Sequence, residues 1–197
     1  GFIAGWGAHP LDLLQWGLNS DHTSPVKYEG TGAIASGGLA DTVYTWDVHC
    51  EYADGMPVRF MDAKTAGPIV KEYTSRFRGN GTTFHGKVGW FYVSRGGCYM
   101  SLKGKPVNTP TFELKASDKR VYAPASQAGN FVDCMRSRKP TVNPFESAIR
   151  GDTISHLSDI AIRTGRTITW DPERERIVKD EEAAKMAKRA LRKPWTL

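Results

Sequence analysis

The clearest pattern in the chain covers residues 42–52, where Tyr44, Trp46, Val48, Cys50 and Tyr52 alternate with Val43, Thr45, Asp47, His49 and Glu51. A two-residue period puts the two sets on opposite sides of a pleated ribbon, so the segment predicts a long strand of an antiparallel sheet with one face buried. Residues 26–32 read as an earlier strand. Asp54-Gly55 has the chemistry of a hairpin turn, and residues 58–61 read as the strand returning from it. Further along, residues 68–76 read as another strand. Residues 82–86 and 90–95 form a hairpin closed around Lys87-Val88-Gly89, and residues 99–102 add one more short strand. Between 103 and 124 the chain is rich in proline and lysine with no period, which predicts a long connection.

Helical periods flank this block. Pro10 suits the first position of a helix, which makes His9 its N-cap. Counted from there, His9, Asp12 and Trp16 share one face, and Leu11, Leu14 and Leu18 form the apolar stripe opposite. A helix from Ser126 carries Ala128, Phe131, Val132 and Met135 at helical spacing and stops before Pro140. The next, from Pro144, places Ile149, Thr153, Leu157, Ile160, Ala161 and Thr164 on one face, with Gly165 as its C-cap. Residues 167–170 can form a terminal strand and Asp171-Pro172 a turn, after which Asp180 caps a helix running through Arg189. One helix, many antiparallel strands and then helices predict an α+β domain: a large, mostly antiparallel open sheet with helices packed on one face.

Composition narrows the function classes. The 197 residues, 40% hydrophobic with six Trp, are ample for a core. No apolar run approaches the roughly 20 residues of a membrane span, and no signal peptide is visible, so no membrane partner is expected. The chain opens in mid-motif on Gly1-Phe2-Ile3 and reads as a piece of something longer. The net charge of +6 is concentrated in the last third, from Arg136 to Lys193. A nucleic-acid site would interleave aromatics with those cations. Here Glu173, Glu175, Asp180, Glu181 and Glu182 intervene instead, so the expectation is a solvated face, or one meeting another part of the parent protein, and no nucleic-acid partner. Cys50, Cys98 and Cys134 are far apart, which predicts neither a disulfide framework nor a zinc site, and Cys50 and Cys134 fall at core positions. His49 falls on the polar side of its strand and reads as surface; no metal site is expected.

The candidate chemistry sits on the first helix. An imidazole with a carboxylate one turn away can move a proton near neutral pH. The structural alternative is a capping histidine beside a solvated aspartate.

Ordered motifs then become specific. They are Gly5-Trp6-Gly7-Ala8-His9-Pro10-Leu11-Asp12; Thr45-Trp46-Asp47-Val48 with Asp54-Gly55; Phe84-His85-Gly86-Lys87-Val88-Gly89-Trp90; Asn130-Phe131-Val132-Asp133-Cys134-Met135-Arg136-Ser137-Arg138-Lys139-Pro140; Gly165-Arg166 with Trp170-Asp171-Pro172; and Pro194-Trp195. Together they resemble the bacterial-type C-terminal domain of the glucose-fructose oxidoreductase, inositol dehydrogenase and rhizopine-catabolism (Gfo/Idh/MocA) family. The resemblance implies that residues 1–197 are the substrate-binding and oligomerisation domain of an NAD(P)-dependent sugar or cyclitol oxidoreductase, a homo-oligomer. The N-terminal Rossmann domain that holds NAD or NADP is absent from this chain. His9 and Asp12 would be its catalytic residues in this half, His9 handling the substrate hydroxyl proton and Asp12 orienting it or binding a sugar hydroxyl. Trp6 and Trp16 could stack on sugar rings, whereas Trp46 and Trp90 lie in strands where core packing is at least as well suited. Many relatives carry an aspartate four residues before the histidine, where this chain has Gly5, and the family lysine belongs to the Rossmann half. No Gly-x-Gly-x-x-Gly turn between strand and helix occurs here, so the isolated chain is expected to bind no dinucleotide and to be inactive alone. Two alternatives stay open: a domain of an NAD-dependent glycosidase of the same superfamily, and a non-catalytic carbohydrate-binding or assembly module.

Overall fold

The first helix sets the frame. In the computed structural model, which describes residues 1–71, 79–108, 116–118, 122–189 and 191–195, α1 spans Phe2–Gly17. It therefore begins eight residues earlier than Pro10 suggests: Gly1 is the N-cap, Pro10 lies inside the helix, and His9 caps nothing. A mid-helix proline removes the bond to the carbonyl four residues back. Ile3, Gly7, Leu11 and Leu14 nevertheless form one continuous buried face, and that burial carries the helix through the break. The hydroxyl of Thr42 accepts the Phe2 N–H at 2.8 Å, so an orphan donor of the first turn is met from a distant loop.

The remaining elements follow in order: β1 (Lys27–Ile34), β2 (Val43–Glu51), β3 (Pro57–Met61), α2 (Ala63–Lys71), β4 (Thr82–Gly86), β5 (Gly89–Ser94), β6 (Gly97–Leu102), β7 (Lys105–Asn108), α3 (Gln127–Ser137), α4 (Phe145–Thr164), β8 (Ile168–Asp171), β9 (Arg176–Val178) and α5 (Glu181–Met186). The class is α+β and every described strand pairing is antiparallel, as expected. The strands divide between a five-stranded sheet, β3-β2-β1-β8-β9, and a four-stranded one, β4-β5-β6-β7.

β2 keeps the predicted alternation except at its start. Ala33 opposes Thr45 while Ile34 opposes Val43, so Tyr44 is the extra residue of a β-bulge. The bulge reverses the faces at that end: Val43 is fully buried and Tyr44 is half exposed, the opposite of what a regular strand gives. His49 is at the surface and Cys50 in the core, as read; Cys134 is only partly buried.

Other departures have local causes. Ala63 to Lys71 form a helix where residues 68–76 suggest a strand, because buried Asp62 caps it. Asp62 Oδ1 accepts the Lys64 and Thr65 N–H groups at 2.8 and 3.2 Å, and Oδ2 takes the Thr65 hydroxyl at 2.6 Å and the Trp46 N–H at 2.9 Å. Residues 72–76 of that expected strand lie outside the described residues. The expected connection over 103–124 contains β7, and residues 109–115 and 119–121 of it also lie outside the description. β9 pairs with β8 beyond the Asp171-Pro172 turn, which the sequence alone leaves unassigned. α5 ends at Met186, short of Arg189. Gly165 ends α4 in the left-handed region at φ 62°, as expected of a C-cap glycine.

α1 and α4 lie on the same face of the five-stranded sheet and supply, with it, a shared core: Leu11 and Leu14 from α1, Ile154, Leu157 and Ala161 from α4, and Tyr28, Trp46, Val48 and Ile168 from the sheet. The two helices approach closely because small residues meet between them. A Cβ on Gly7 would lie 2.5 Å from Ser155 Oγ. α4 is consequently buried on more than the predicted stripe, with Ser147, Gly151, Ser155 and Ser158 turned inward as well. Arg150, 8% exposed, ties α4 to the β8–β9 turn through Glu146 at 2.6 Å, Glu175 at 3.0 Å and the Pro172 carbonyl at 3.0 Å.

Candidate functional site

The close packing of α1 on α4 opens into a cleft of about 490 Å³ at one end of the helix pair. α1 contributes Ala8, His9 and Asp12, and α4 contributes Gly151 and Asp152. The tip of the β5–β6 hairpin adds Ser94 and Arg95, while Asn80, Gln127 and Asn143 complete a wall rich in hydrogen-bonding groups. His9 and Asp12 are thus on one cleft wall, three residues apart on a helix that is rigidly seated by its buried face.

His9 is partly buried and its Nδ1 lies 3.0 Å from Arg95 Nη2. The edge of Trp6 meets the imidazole ring, centroids 5.9 Å apart. Trp6 is followed outward along α1 by Phe2 at 6.5 Å, which in turn contacts buried Trp46 at 6.0 Å, so an aromatic ladder runs from the core to the histidine. Trp6 itself is 52% exposed and adjoins the cleft through His9; Trp16, 56% exposed, lies outside it. Trp46 is core, and Trp90 is partly buried on β5.

Burial lifts the Asp12 carboxyl above the usual aspartate range, and the nearby Asp21 carboxylate pushes it further the same way. Asp21 accepts a hydrogen bond from Ser147 Oγ at 2.7 Å. Asp152 pairs with His156 at 3.0 Å one turn along α4. Thr82, at the start of β4, donates to the Pro10 carbonyl at 2.5 Å and so anchors the second sheet to the helix that carries the site. Phe84 fills the same joint: a Cβ on Gly17 would fall 2.3 Å from its ring.

Sequence reading found His9 and Asp12 but not Arg95, Asn80, Asn143 or Asp152. These come from a hairpin tip, two loops and a helix whose own period marks a different face. The one sequence signal was Gly96-Gly97, which places Arg95 at a turn. Among the described residues no cluster of three or more His, Cys, Asp or Glu could hold a metal, and no described helix is long and apolar enough to cross a membrane.

Residues 78–197 match the oxidoreductase family Gfo/Idh/MocA, C-terminal alpha/beta domain. The chain belongs to this family. Among solved structures, it is similar to a Thermotoga maritima protein assigned as an oxidoreductase, at TM-score 0.55 and 12% identity over 83% of this chain and 45% of that one. An NAD-binding protein from Listeria innocua matches at TM-score 0.51 and 13% identity, over 83% of this chain and 50% of that one. The aldose-aldose oxidoreductase of Caulobacter crescentus, solved with glycerol, stands at TM-score 0.49 and 14% identity over 81% and 45%. At such identities the likeness is one of fold. The chain spans about half the length of the structures it matches. No curated protein matches the sequence.

The family's dinucleotide has no seat among the described residues. Such a site needs a parallel strand–turn–helix unit whose helix N-terminus meets the pyrophosphate. All described pairings here are antiparallel, so no such parallel unit occurs among the described residues.

Proposed function

We propose that this domain supplies the substrate half of the active site of an NAD(P)-dependent oxidoreductase acting on a sugar or cyclitol, the nucleotide being held by a separate Rossmann domain. One observation carries the reading: His9 and Asp12 open onto the same cleft, whose other walls present Arg95, Asn80, Asn143 and Asp152. A ligand bearing many hydroxyls needs several fixed donors and acceptors, and this cleft offers both signs of charge with neutral amides between them. In this reading His9 and Asp12 touch the reacting carbon's hydroxyl and its neighbour, and Trp6, outside the cleft lining, packs on His9. Trp16 would serve only a ligand that extends beyond the cleft.

The same domain mediates self-association through the face of its five-stranded sheet opposite α1 and α4. α1 and α4 cover one face, while the other carries Asp47, His49 and Arg59, with Arg59 forked onto Asp47 at 2.6 and 2.8 Å.

The reading is tested by titrating the chain with a panel of monosaccharides and inositols while following amide signals by NMR. Saturable shifts confined to the turns around His9, Asp12 and Arg95, weakened at least tenfold in Asp12→Asn, are expected (a loss of about 1.4 kcal/mol). Binding that maps elsewhere, or that is indifferent to Asp12→Asn, overturns it.

A further inference from the structure

We propose that His9 serves the substrate oxygen as a hydrogen-bond donor through Nε2, its tautomer set by Arg95, and does not itself take up or release the reaction's proton. This rests on the reading of the cleft as the substrate site. The argument begins from Arg95, whose guanidinium has five N–H donors and no acceptor. Its Nη2 lies 3.0 Å from His9 Nδ1, so Nδ1 must be the acceptor and the ring proton must sit on Nε2. An imidazolium in this position would set two donors against each other.

The backbone of Arg95 is set by a turn. It stands at the tip of the β5–β6 hairpin, where the Gly96 N–H donates to Ser94 Oγ at 3.2 Å and Ser94 closes the turn opposite Gly97. Trp6, its ring inclined at 71° to the imidazole, packs against His9 as well. Nε2 has no partner among the described residues and is left for a ligand. A ring protonated at Nε2 and engaged at Nδ1 has no lone pair to receive a hydroxyl proton, and giving up its own would leave an imidazolate. It can polarise a carbonyl or steady an alkoxide by hydrogen bonding alone, a role known for neutral histidine elsewhere. Arg95 is therefore a positioning residue for the group that touches substrate.

The test is the nitrogen spectrum of the His9 ring in the 197-residue chain at about pH 8, above the ordinary imidazole range. The expected result is a proton wholly on Nε2. Arg95→Met, which removes the donor, should bring in a measurable share of the Nδ1–H tautomer, and Arg95→Lys should largely restore the native spectrum. A proton on Nδ1 in the native chain, or a spectrum indifferent to Arg95→Met, overturns the proposal whatever the substrate proves to be. In the assembled two-domain enzyme, His9→Gln keeps an N–H to donate and should stay within roughly tenfold of native kcat, while His9→Ala loses about 100-fold. Equal losses in the two variants would make His9 the acid–base group after all.

Discussion

Thr82 and Pro10 are joined by a hydrogen bond of 2.5 Å from the Thr82 hydroxyl to the Pro10 carbonyl, across 72 residues of sequence. The bond falls at the point on α1 where the proline interrupts the helical ladder, next to His9. It fastens the four-stranded sheet, and with it the hairpin that carries Arg95, to the helix that carries His9 and Asp12. The two halves of the cleft owe their registration to this joint and to Phe84 packed on Gly17.

Thr82→Val keeps the branched shape suited to a strand and removes only the hydroxyl. It should cost about 0.5–1.5 kcal/mol in chemical denaturation, the worth of one such bond. In the same variant the Arg95–His9 contact should loosen, seen as faster exchange of the imidazole N–H. A native midpoint together with native exchange would show that the joint rests on Phe84 alone.

Asp62 offers a stability test with a defined sign. Its burial raises the carboxyl, but the Thr65 hydroxyl and the backbone N–H groups of Trp46, Thr65 and Lys64 outweigh that and hold it below the usual aspartate range. A carboxyl depressed by folding contributes stability that is full above the unfolded value of about 3.9 and is lost as pH falls through the folded value. Asp62→Ala should therefore destabilise by about 1–3 kcal/mol at neutral pH, leaving buried donors unmet. Acid titration of stability should be shallower in the variant than in the native chain. An equally steep acid limb would place the effect on other carboxylates.

The sequence was most legible where one period governed one face. β2, the hairpins β2–β3 and β4–β5, and the caps Ser126, Asp180 and Gly165 all follow from local chemistry. It was least legible where a distant partner overrides that chemistry. Pro10 looks like a helix start because nothing local shows that Ile3 and Gly7 continue the buried face of Leu11 and Leu14. Val43 looks like an outward residue because the bulge at Tyr44 depends on the register of β1. α3 shows the reverse case: Phe131, Val132 and Met135 have core spacing, yet all three are exposed, since spacing does not say whether a partner is present. In the site, His9 and Asp12 were readable because they share a helix. Arg95 and Asp152 reach the cleft only through tertiary packing.

Self-association through the sheet face opposite α1 and α4 predicts a dimer or larger species. Sedimentation of the chain at tens of micromolar, roughly the range for a weak interface, should show it. Arg59→Glu would set like charges against Asp47 and against the same face of a second copy, and should shift the population toward monomer. A native chain that sediments only as monomer would sink the prediction, and an Arg59→Glu dimer would move the interface elsewhere.

The Asp12 carboxyl should respond to the charge on Asp21. Burial and then the Asp21 carboxylate lift Asp12 above the ordinary range, so its carboxyl carbon, followed by NMR, should have a midpoint above that of a free aspartate. Asp21→Asn removes the like charge while keeping an oxygen that can still accept from Ser147, and should bring the Asp12 midpoint down part of the way. The sign for stability is the opposite of that for Asp62. The native state holds the Asp12 proton longer than the unfolded chain does, so stability falls as pH rises from the unfolded value through the folded one. Asp12→Asn removes that decline, and above the folded value its stability should equal or exceed the native chain's while substrate binding is weakened. That pairing of retained fold and lost binding is what a site residue gives and a structural residue does not. An Asp12 midpoint at or below the ordinary aspartate value, or one unmoved by Asp21→Asn, would mean that the cleft wall at α1 is better solvated than its geometry indicates.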